Sequence, residues 1–340
     1  MSFIRLDAAA FAHNMNQIKA LAPTEKIAIV LKDNAYGHGL EAMATLAVQN
    51  GIRHAVVRTV AEAETVSGMF DSVLVLAEIP ETKPGATIHI AVNGMEEIKK
   101  SPAGCAVHLK VDSGMHRNGI APEELRDALK LITDKGLRLE GIFSHVRSGD
   151  ELSSELFWQY KNFQEIKAKA EALCDELKIP RPLFHFANSP TLMRFKEDVV
   201  FDRVRVGIAA YGYHEFPEVF EVAELRPVLS LWGEKIATRK LRQGQRVGYG
   251  GSGEMSGDGV VSTYDLGYAD GLFRHDGSTS FALEDGTALV GKVSMDNLSL
   301  QSDKKEIRLI GNARHWARRF GTITYDVLVK LSPRIKRNIV

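Results

Sequence analysis

The chain has 340 residues, and its 43 lysines and arginines balance 43 aspartates and glutamates. A zero net charge argues against a general nucleic-acid or anionic-membrane binder, because such proteins carry a basic excess. The length predicts two domains. The first residues lack a signal-like apolar core, and no stretch approaches the roughly 20 apolar residues of a membrane span. The two cysteines, Cys105 and Cys174, lack metal-ligand spacing, so we expect reduced thiols, no metal site and a cytoplasmic protein.

Short apolar segments alternate with helical patterns over the first two thirds of the chain. In chain order, the predicted strands are KIAIVLK, HAVVR, SVLVL, TIHIAV, VHLKVD, LEGIFSH, LFHFAN and RVRVGIA. Two amphipathic segments, PEELRDALKLITDK and SELFWQYKNFQEIKAKAEALCDEL, predict helices, whereas ETKPGA is short and contains a proline. Near-continuous apolar strands that alternate with helices are typical of a parallel sheet covered on both faces. Eight such strands predict a (β/α)8 TIM-type barrel.

The alternative architecture is a doubly wound open sheet. Such a sheet normally shows a G-x-G-x-x-G fingerprint after its first strand, and KDNAYGHG does not match it. After Tyr211 the pattern changes to short alternating runs punctuated by glycine, which predict hairpins. We therefore predict an α/β protein with a barrel over residues 1–215, followed by a C-terminal all-β domain over 216–340 that the first few residues could join.

Polar residues follow the predicted barrel strands at the points where the strands end. Singly, each has an ordinary explanation as a solvated side chain, a helix cap or a turn residue. Together they fall at the C-terminal face of the barrel, where barrel enzymes place their active sites. In chain order they are Lys32, Lys110, His145, Asn188, Ser189, Arg205 and Gly207.

These residue types indicate a particular cofactor. A lysine in a dry pocket can form a Schiff base. Ser189 and the backbone amides near Gly207 and Ile208 could hold a phosphate, since the loops after strands seven and eight are the usual phosphate site of this barrel. With an arginine able to face a pyridine nitrogen, the set suggests pyridoxal phosphate.

Eight motifs resemble those of the alanine racemase family of barrel-type pyridoxal-phosphate enzymes. They are VLKDNAYGHG, HLKVDSGMHRNG, FSHV, ANSP, VRVGIAAYG, LGYADG, VGKVSMD and GTITYDVL, and they occur in order over nearly the whole chain. The resemblance implies a cytoplasmic enzyme that interconverts L- and D-alanine and supplies D-alanine for peptidoglycan.

The resemblance also implies two catalytic bases. Lys32 would be the Schiff-base lysine and one base, and Tyr268 of LGYADG would be the other. One base on each face of the substrate lets the Cα proton leave one side and return on the other. Because tyrosine has an unperturbed pKa of about 10, Tyr268 would need positive charge nearby. His145, Arg205 and Arg117 are the candidates.

Further roles follow from the same resemblance. Arg205 would face the pyridine nitrogen and keep it largely unprotonated, since arginine retains its proton. His145 would pack near the ring, and Asn188 would lie at the cofactor site. The residues implied for the phosphate are Tyr36, Ser189, Gly207, Ile208 and Tyr325.

The substrate site is implied in the same way. Arg117 would bind the substrate carboxylate, assisted by the backbone amide of Met295. Lys110 matches a lysine that can be carbamylated to hold Arg117, and Asp296 would support the site. The family implies a head-to-tail homodimer in which the β domain of one subunit covers the barrel mouth of the other.

Several positions depart from the family pattern and leave substrate specificity open. Arg147 would either pair with Asp150 or Glu151 or alter the pocket. The departures are Arg58, Arg147, Asp265, Lys292 and Ser294.

Three other functions are alternatives. A broad-specificity racemase would need a roomier pocket. A decarboxylase on the related barrel-plus-β plan would carry a glycine-rich phosphate segment and a cysteine motif, and neither is found. A non-catalytic pyridoxal-phosphate carrier would resemble the barrel alone, and the residues after Tyr213 count against it.

Overall fold

The computed structural model describes residues 1–340, and for Glu197 and Asp198 it describes the backbone only. The chain divides into two compact units, which we call the barrel unit and the β unit. The barrel unit comprises Ala12–Ala35 and Met43–Arg226. The β unit comprises Met1–Phe11, Tyr36–Ala42 and Pro227–Val340.

Strands are numbered in chain order, and β1, Phe3–Leu6, belongs to the β unit. The next eight strands pair in parallel with their neighbours, β9 pairs with β2, and a bridge between His185 and Arg203 joins β8 to β9. The predicted (β/α)8 barrel is therefore confirmed, and the open sheet is excluded. The barrel strands are β2 Ile27–Val30, β3 His54–Val57, β4 Ser72–Val75, β5 Ile88–Val92, β6 Ala106–Lys110, β7 Arg138–Phe143, β8 Leu183–His185 and β9 Val204–Val206.

The two clear helix predictions are confirmed. The first becomes Leu125–Asp134, preceded by a 3-10 turn, and the second becomes Glu155–Leu177. The ETKPGA segment forms no helix. Among the described residues, every helix is too short or too polar to cross a membrane. The remaining right-handed α-helices in the first 215 residues are Ala8–Lys19, Leu40–Gln49, Val60–Val66, Met95–Lys100 and Ser189–Phe195, and a short left-handed turn spans Lys32–Tyr36.

The β unit is built around β10, a strand long enough to pair with β1, β13 and β17 in antiparallel fashion. β1 also pairs in parallel with the last strand of the chain. The β character predicted for this region is confirmed, and two helices, Ala313–Phe320 and Thr324–Val329, accompany the strands. The remaining strands are β10 Leu229–Leu241, β11 Arg246–Val247, β12 Gly253–Glu254, β13 Gly259–Tyr264, β14 Phe281–Ala282, β15 Ala288–Leu289, β16 Leu298–Leu300, β17 Glu306–Ile310 and β18 Lys336–Ile339.

Candidate active site

The backbone directly after Lys32 is left-handed. Lys32 lies two residues beyond the end of β2, and Asp33, Asn34, Ala35 and Tyr36 have φ values between 52° and 56°. Aspartate and asparagine tolerate this region, but alanine and tyrosine do so at a cost of about 1–2 kcal/mol per residue. Four such residues in succession therefore require contacts elsewhere in the chain to hold them.

Glu62 supplies one of those contacts. Its carboxylate accepts hydrogen bonds from the amides of Asn34 at 3.0 Å and Arg58 at 2.8 Å. Its own amide donates to Thr59, the N-cap of its helix. The Arg58 guanidinium pairs with Asp33 at 3.0 Å. Arg58, which departs from the family pattern, thus contacts the residue that follows Lys32.

Arg205 lies on β9, in register with Ala28 of β2, and is buried. One terminal nitrogen donates to Nδ1 of His185 at 2.6 Å, and the other donates to the carbonyl of Ser144 at 2.7 Å. Burial lowers its pKa from 12.5 to about 10, so the guanidinium stays charged at neutral pH. Nε has no hydrogen-bond acceptor among the described residues, so one N–H can still be donated.

A second group of site candidates lies after β8 and β9. The buried Ser189 begins the helix Ser189–Phe195, and its hydroxyl accepts a hydrogen bond from the amide of Gly207 at 2.8 Å. The side chain of Asn188 caps the same helix by accepting from the amide and the hydroxyl of Thr191. Ser189 is therefore fixed beside the turn that follows β9.

His145 follows β7, and four predicted site residues lie near enough for their charges to act on its pKa. Burial is the main cause that lowers its pKa well below 6.5, and the positive charges of Arg205, Lys110, Arg117 and Lys32 lower it further. Lys32 follows β2, Lys110 and Arg117 lie at and after the end of β6, and Arg205 lies on β9. The structure thus brings together the cations that the sequence placed at the C-terminal face of the barrel.

Lys110 ends β6 and is buried. Its amine donates a hydrogen bond to the side-chain oxygen of Asn118. Burial, followed by the charges of Arg117 and Arg205, lowers its pKa from 10.5 to about 8. An appreciable fraction of this amine is therefore uncharged near neutral pH, which is the form that reacts with electrophiles.

The loop that carries Arg117 is shaped by Asp112. Its carboxylate accepts hydrogen bonds from the amides of Gly114, Met115 and His116, each at 2.8 Å. A side chain that binds its own loop in this way fixes a turn. The exposed Arg117 follows directly, so its backbone position is set by Asp112.

In the β unit, two motifs that are distant in sequence lie side by side. The amide of Tyr268 donates to the carbonyl of Ser294, and the amide of Ala269 donates to that of Met295, both at 3.0 Å. A Cβ atom at Gly267 would lie 2.0 Å from the Met295 oxygen, so only glycine fits there. The side chains of Tyr268 and Met295 are 39% and 55% exposed.

The other predicted residues of the β unit are Tyr36, Tyr325 and Asp296. The rings of Tyr36 and Tyr325 lie with their centroids 5.8 Å apart. Asp296 is exposed, and its charge contributes to raising the pKa of Asp270, after the larger effect of burial. The unit therefore carries two groups of site candidates: a pair of tyrosines, and the strand-end loops around Tyr268.

Two departures from the family pattern have structural explanations. Arg147 pairs with Glu155, at the first turn of the long helix, rather than with Asp150 or Glu151. The carboxylate of Asp265 accepts hydrogen bonds from the amides of Ser2 and Glu234, both at 2.8 Å. Asp265 thereby fastens the first residues of the chain to β10.

Sequence analysis missed the partners of Arg205. His185 contacts His108 at 2.9 Å, and His108 contacts His89 at 3.1 Å. Each is a single histidine inside a predicted apolar strand, LFHFAN, VHLKVD or TIHIAV. Three such histidines in one barrel could have indicated a buried network. Glu62 gave no comparable sequence signal.

Comparison with known proteins identifies the family of this chain. The profile of the alanine racemase N-terminal domain matches residues 6–215, and that of the C-terminal domain matches residues 228–339. An alanine racemase of a Nitratiruptor species is 44% identical over 99% of both chains, and one of Campylobacter curvus is 42% identical over 100% of both. The solved alanine racemase of Clostridium difficile 630 superposes with a TM-score of 0.88 at 28% identity, over 100% of this chain and 95% of that one. The chain therefore belongs to the alanine racemase family.

Proposed function

We propose that this chain is an alanine racemase that uses pyridoxal phosphate, with the barrel formed by residues 1–215, apart from the first residues, which join the β domain of residues 216–340. The observation that carries the proposal is the convergence of Lys32, Arg205, Arg117 and Lys110 around His145 in a barrel of this family. The free thiols of both cysteines fit a reducing compartment, so we propose the cytoplasm as its location.

The chemistry of the donors fits the cofactor. The remaining N–H of Arg205 suits a neutral pyridine nitrogen, and a guanidinium that keeps its proton leaves that nitrogen largely unprotonated. His145, held neutral, would pack against the ring, and Asn188 would order the loop beside it. When bound, pyridoxal phosphate supplies an electron sink that acidifies the Cα proton. We propose that its phosphate is held by Tyr36, Ser189, Gly207, Ile208 and Tyr325.

Two side chains of the protein move the proton. Lys32 would also bind the cofactor covalently, and Tyr268 would act from the opposite face of the substrate. A base on each face allows removal on one side and return on the other without turning the substrate. The left-handed backbone after Lys32 fixes the main-chain position from which its side chain extends. The hydrogen-bonded segments around Gly267 do the same for Tyr268.

The substrate carboxylate would be bound by Arg117 and by the backbone amide of Met295, with Asp296 in support. We propose that Lys110 is carbamylated and that the resulting negative charge orients Arg117. The lowered pKa of Lys110 supports this, because carbon dioxide reacts with the uncharged amine. Lys110→Ala should raise KM for alanine, and small carboxylates or chloride should restore it in part. Unmodified Lys110 in a bicarbonate-containing preparation, with no anion dependence, would rule out the carbamate.

We also propose that the enzyme is a homodimer with shared active sites. In a two-fold dimer, mixing inactive Lys32→Ala and Tyr268→Phe proteins would create one doubly damaged site and one intact site. After subunit exchange, activity should return to at most about half of the wild-type value. If exchange is demonstrated and no activity returns, Lys32 and Tyr268 act within one chain.

The function is tested by following both enantiomers of alanine with the purified protein and pyridoxal phosphate. L- and D-alanine should each give a mixture with an equilibrium constant of one. Equal rates with serine, lysine and arginine would favour the broad-specificity alternative. Release of carbon dioxide would favour a decarboxylase, and cofactor binding without turnover of any amino acid would favour a carrier.

A further inference from the structure

A line of three histidines runs through the barrel interior from Arg205. His185 on β8, His108 on β6 and His89 on β5 are joined by hydrogen bonds of 2.9 Å and 3.1 Å. His185 and His108 are 1% and 2% exposed, and His89 is half-buried. None of the three takes part in the chemistry proposed above, so their presence in the barrel interior needs a separate explanation.

The hydrogen bonds on the two sides of each ring together determine which of its nitrogens carries the proton. A guanidinium can only donate, so Nδ1 of His185 must accept its hydrogen bond at 2.6 Å. A neutral His185 then carries its proton on Nε2 and donates to Nδ1 of His108. His108 in turn donates from Nε2 to Nδ1 of His89. Only one tautomer at each ring satisfies all three hydrogen bonds. Moving the proton of His185 or His108 to its other nitrogen breaks two of them, and moving that of His89 leaves two donors facing each other.

The surroundings keep these rings neutral. Burial is the main cause that lowers the pKa of His185 and of His108 well below 6.5, and it also lowers the pKa of His89. A protonated ring would have no acceptor nitrogen, and it would place a second positive charge near Arg205. The buried line is therefore compatible with one charge pattern only, in which Arg205 is the cation.

The barrel makes room for this line by using glycine. A Cβ atom at Gly141, in β7, would lie 2.3 Å from Nδ1 of His108. Glycine inside a strand weakens the strand and often marks a close approach. The same strand also contributes Phe143, whose ring stacks on His185 with a centroid distance of 4.8 Å and an interplanar angle of 2°. Gly141 and Phe143 thus fix the positions of His108 and His185.

We propose that His108 is a positioning residue for Arg205. By accepting from His185, it holds His185 in the tautomer whose Nδ1 binds the terminal nitrogen of Arg205. That hydrogen bond and the one to Ser144 fix both ends of the guanidinium, which leaves Nε–H as the donor for the pyridine nitrogen. This last step rests on the function proposed above. His89 extends the effect by accepting from His108.

Two variants of His108 separate positioning from packing. Asparagine and leucine have nearly the same shape, but only asparagine offers an oxygen close to the position of Nδ1. Both lose the contact with His89, so His108→Asn and His108→Leu differ mainly in the acceptor presented to His185. His54→Leu is the control, because His54 is a barrel histidine bonded to Ser72 rather than to this line.

The first measurement uses protein without cofactor, labelled with 15N-histidine. Two-bond proton–nitrogen correlations report the tautomer of each ring, and a His185→Phe sample identifies the His185 signals. Wild type, His108→Asn and His54→Leu should show His185 protonated on Nε2 only. His108→Leu should show loss of this single form. If His108→Leu leaves the His185 tautomer unchanged, the proposal is wrong.

The second measurement is the affinity for pyridoxal phosphate. We expect His108→Leu to bind it about tenfold more weakly than His108→Asn, a difference of about 1.4 kcal/mol. Equal affinities, with equal losses of thermal stability, would mean that His108 only fills space. If the wild type itself does not bind the cofactor, the proposed function fails, while the tautomer measurement still decides the role of His108. Should His108→Leu not fold, His89→Asn and His89→Leu form a second pair with the same expected order.

Discussion

Two site candidates of the barrel unit and two of the β unit differ in how far they are exposed. Arg205 and Ser189 of the barrel are buried and hydrogen-bonded within their own unit. Tyr268 and Met295 of the β unit have fixed backbones but exposed side chains. The barrel thus orders its own part of the site, whereas an exposed phenol gains a water-free environment only when another surface covers it. This contrast fits the proposed division, in which the barrel supplies most of the cofactor contacts and the β domain supplies the second base.

The largest effect should come from Lys32→Ala in the barrel. Without the amine there is neither a covalent cofactor nor the first base, so racemisation should fall to the detection limit. After borohydride treatment, mass spectrometry should find pyridoxyl-modified Lys32 in the wild type and no modification in the variant. Lys26→Ala, just before the other end of β2, is the control, since Lys26 bonds to the carbonyl of Phe201. A reducible link that survives in Lys32→Ala would place the cofactor on another lysine.

Tyr268→Phe should have the next largest effect, and it tests the β unit. Removal of a general base typically reduces the rate by about 10²–10⁴-fold. We expect kcat to fall in this range while cofactor affinity stays unchanged, because Tyr268 is not among the residues proposed to hold the cofactor. Tyr249→Phe, another exposed tyrosine of the β unit, is the control. Activity above half of the wild-type value in Tyr268→Phe would exclude the phenol as a base.

These two residues also illustrate what the sequence could predict. The barrel strands were predictable because both faces of each strand are buried, which gives continuous apolar runs. Lys32 and Arg205 were predictable as site residues because the ends of parallel strands meet at one face. Tyr268 begins a short 3-10 helix in a glycine-rich region to which no such rule applies, and only the resemblance to a family identified it.

Other features could not be predicted because they depend on contacts between distant segments. Ala35 and Tyr36 have no preference for left-handed backbone, yet both adopt it. The hydrogen bond from Asn34 to Glu62 joins residues 28 positions apart. The line from Arg205 to His89 joins several barrel strands. The sequence predicted the order of these strands, but it did not predict which of their side chains face each other. Local sequence patterns report neither kind of contact.

A smaller effect is expected in the pH dependence of Lys110 acetylation. It tests whether this barrel residue is buried strongly enough to lower its pKa. Because the pKa of its amine is lowered to about 8, the uncharged fraction should rise through pH 8 rather than through pH 10.5. In protein without cofactor or bicarbonate, the rate of acetylation at Lys110 should therefore have its midpoint near pH 8. The exposed Lys99, paired with Glu96, is the control for the reactivity of the reagent itself. A midpoint near pH 10.5 at Lys110 would show that burial does not depress this pKa.

The smallest effect should come from substitutions of Glu62. They remove the contacts that hold the turn after Lys32 one at a time. Its carboxylate accepts two backbone amides, one of them from the left-handed turn after Lys32. Glutamine can accept one of these and turns a donor toward the other, whereas alanine accepts neither. A fully buried amide left without an acceptor costs about 1–3 kcal/mol, and these two should cost less because one is part-buried and the other exposed. We expect cofactor affinity to fall up to about tenfold in Glu62→Ala, and less in Glu62→Gln, by equilibrium binding.

The matched control for this series is Glu64→Ala, on the same helix but with an exposed side chain. Its cofactor affinity should equal that of the wild type. If Glu62→Ala and Glu64→Ala bind pyridoxal phosphate equally well, the left-handed turn holds its shape without Glu62. The pairing of Arg58 with Asp33 would then be the contact to remove next, since it is the other one that reaches this turn from β3. The comparison therefore measures how much of the order around Lys32 comes from the neighbouring strand and helix, and how much is intrinsic to the KDNAY segment.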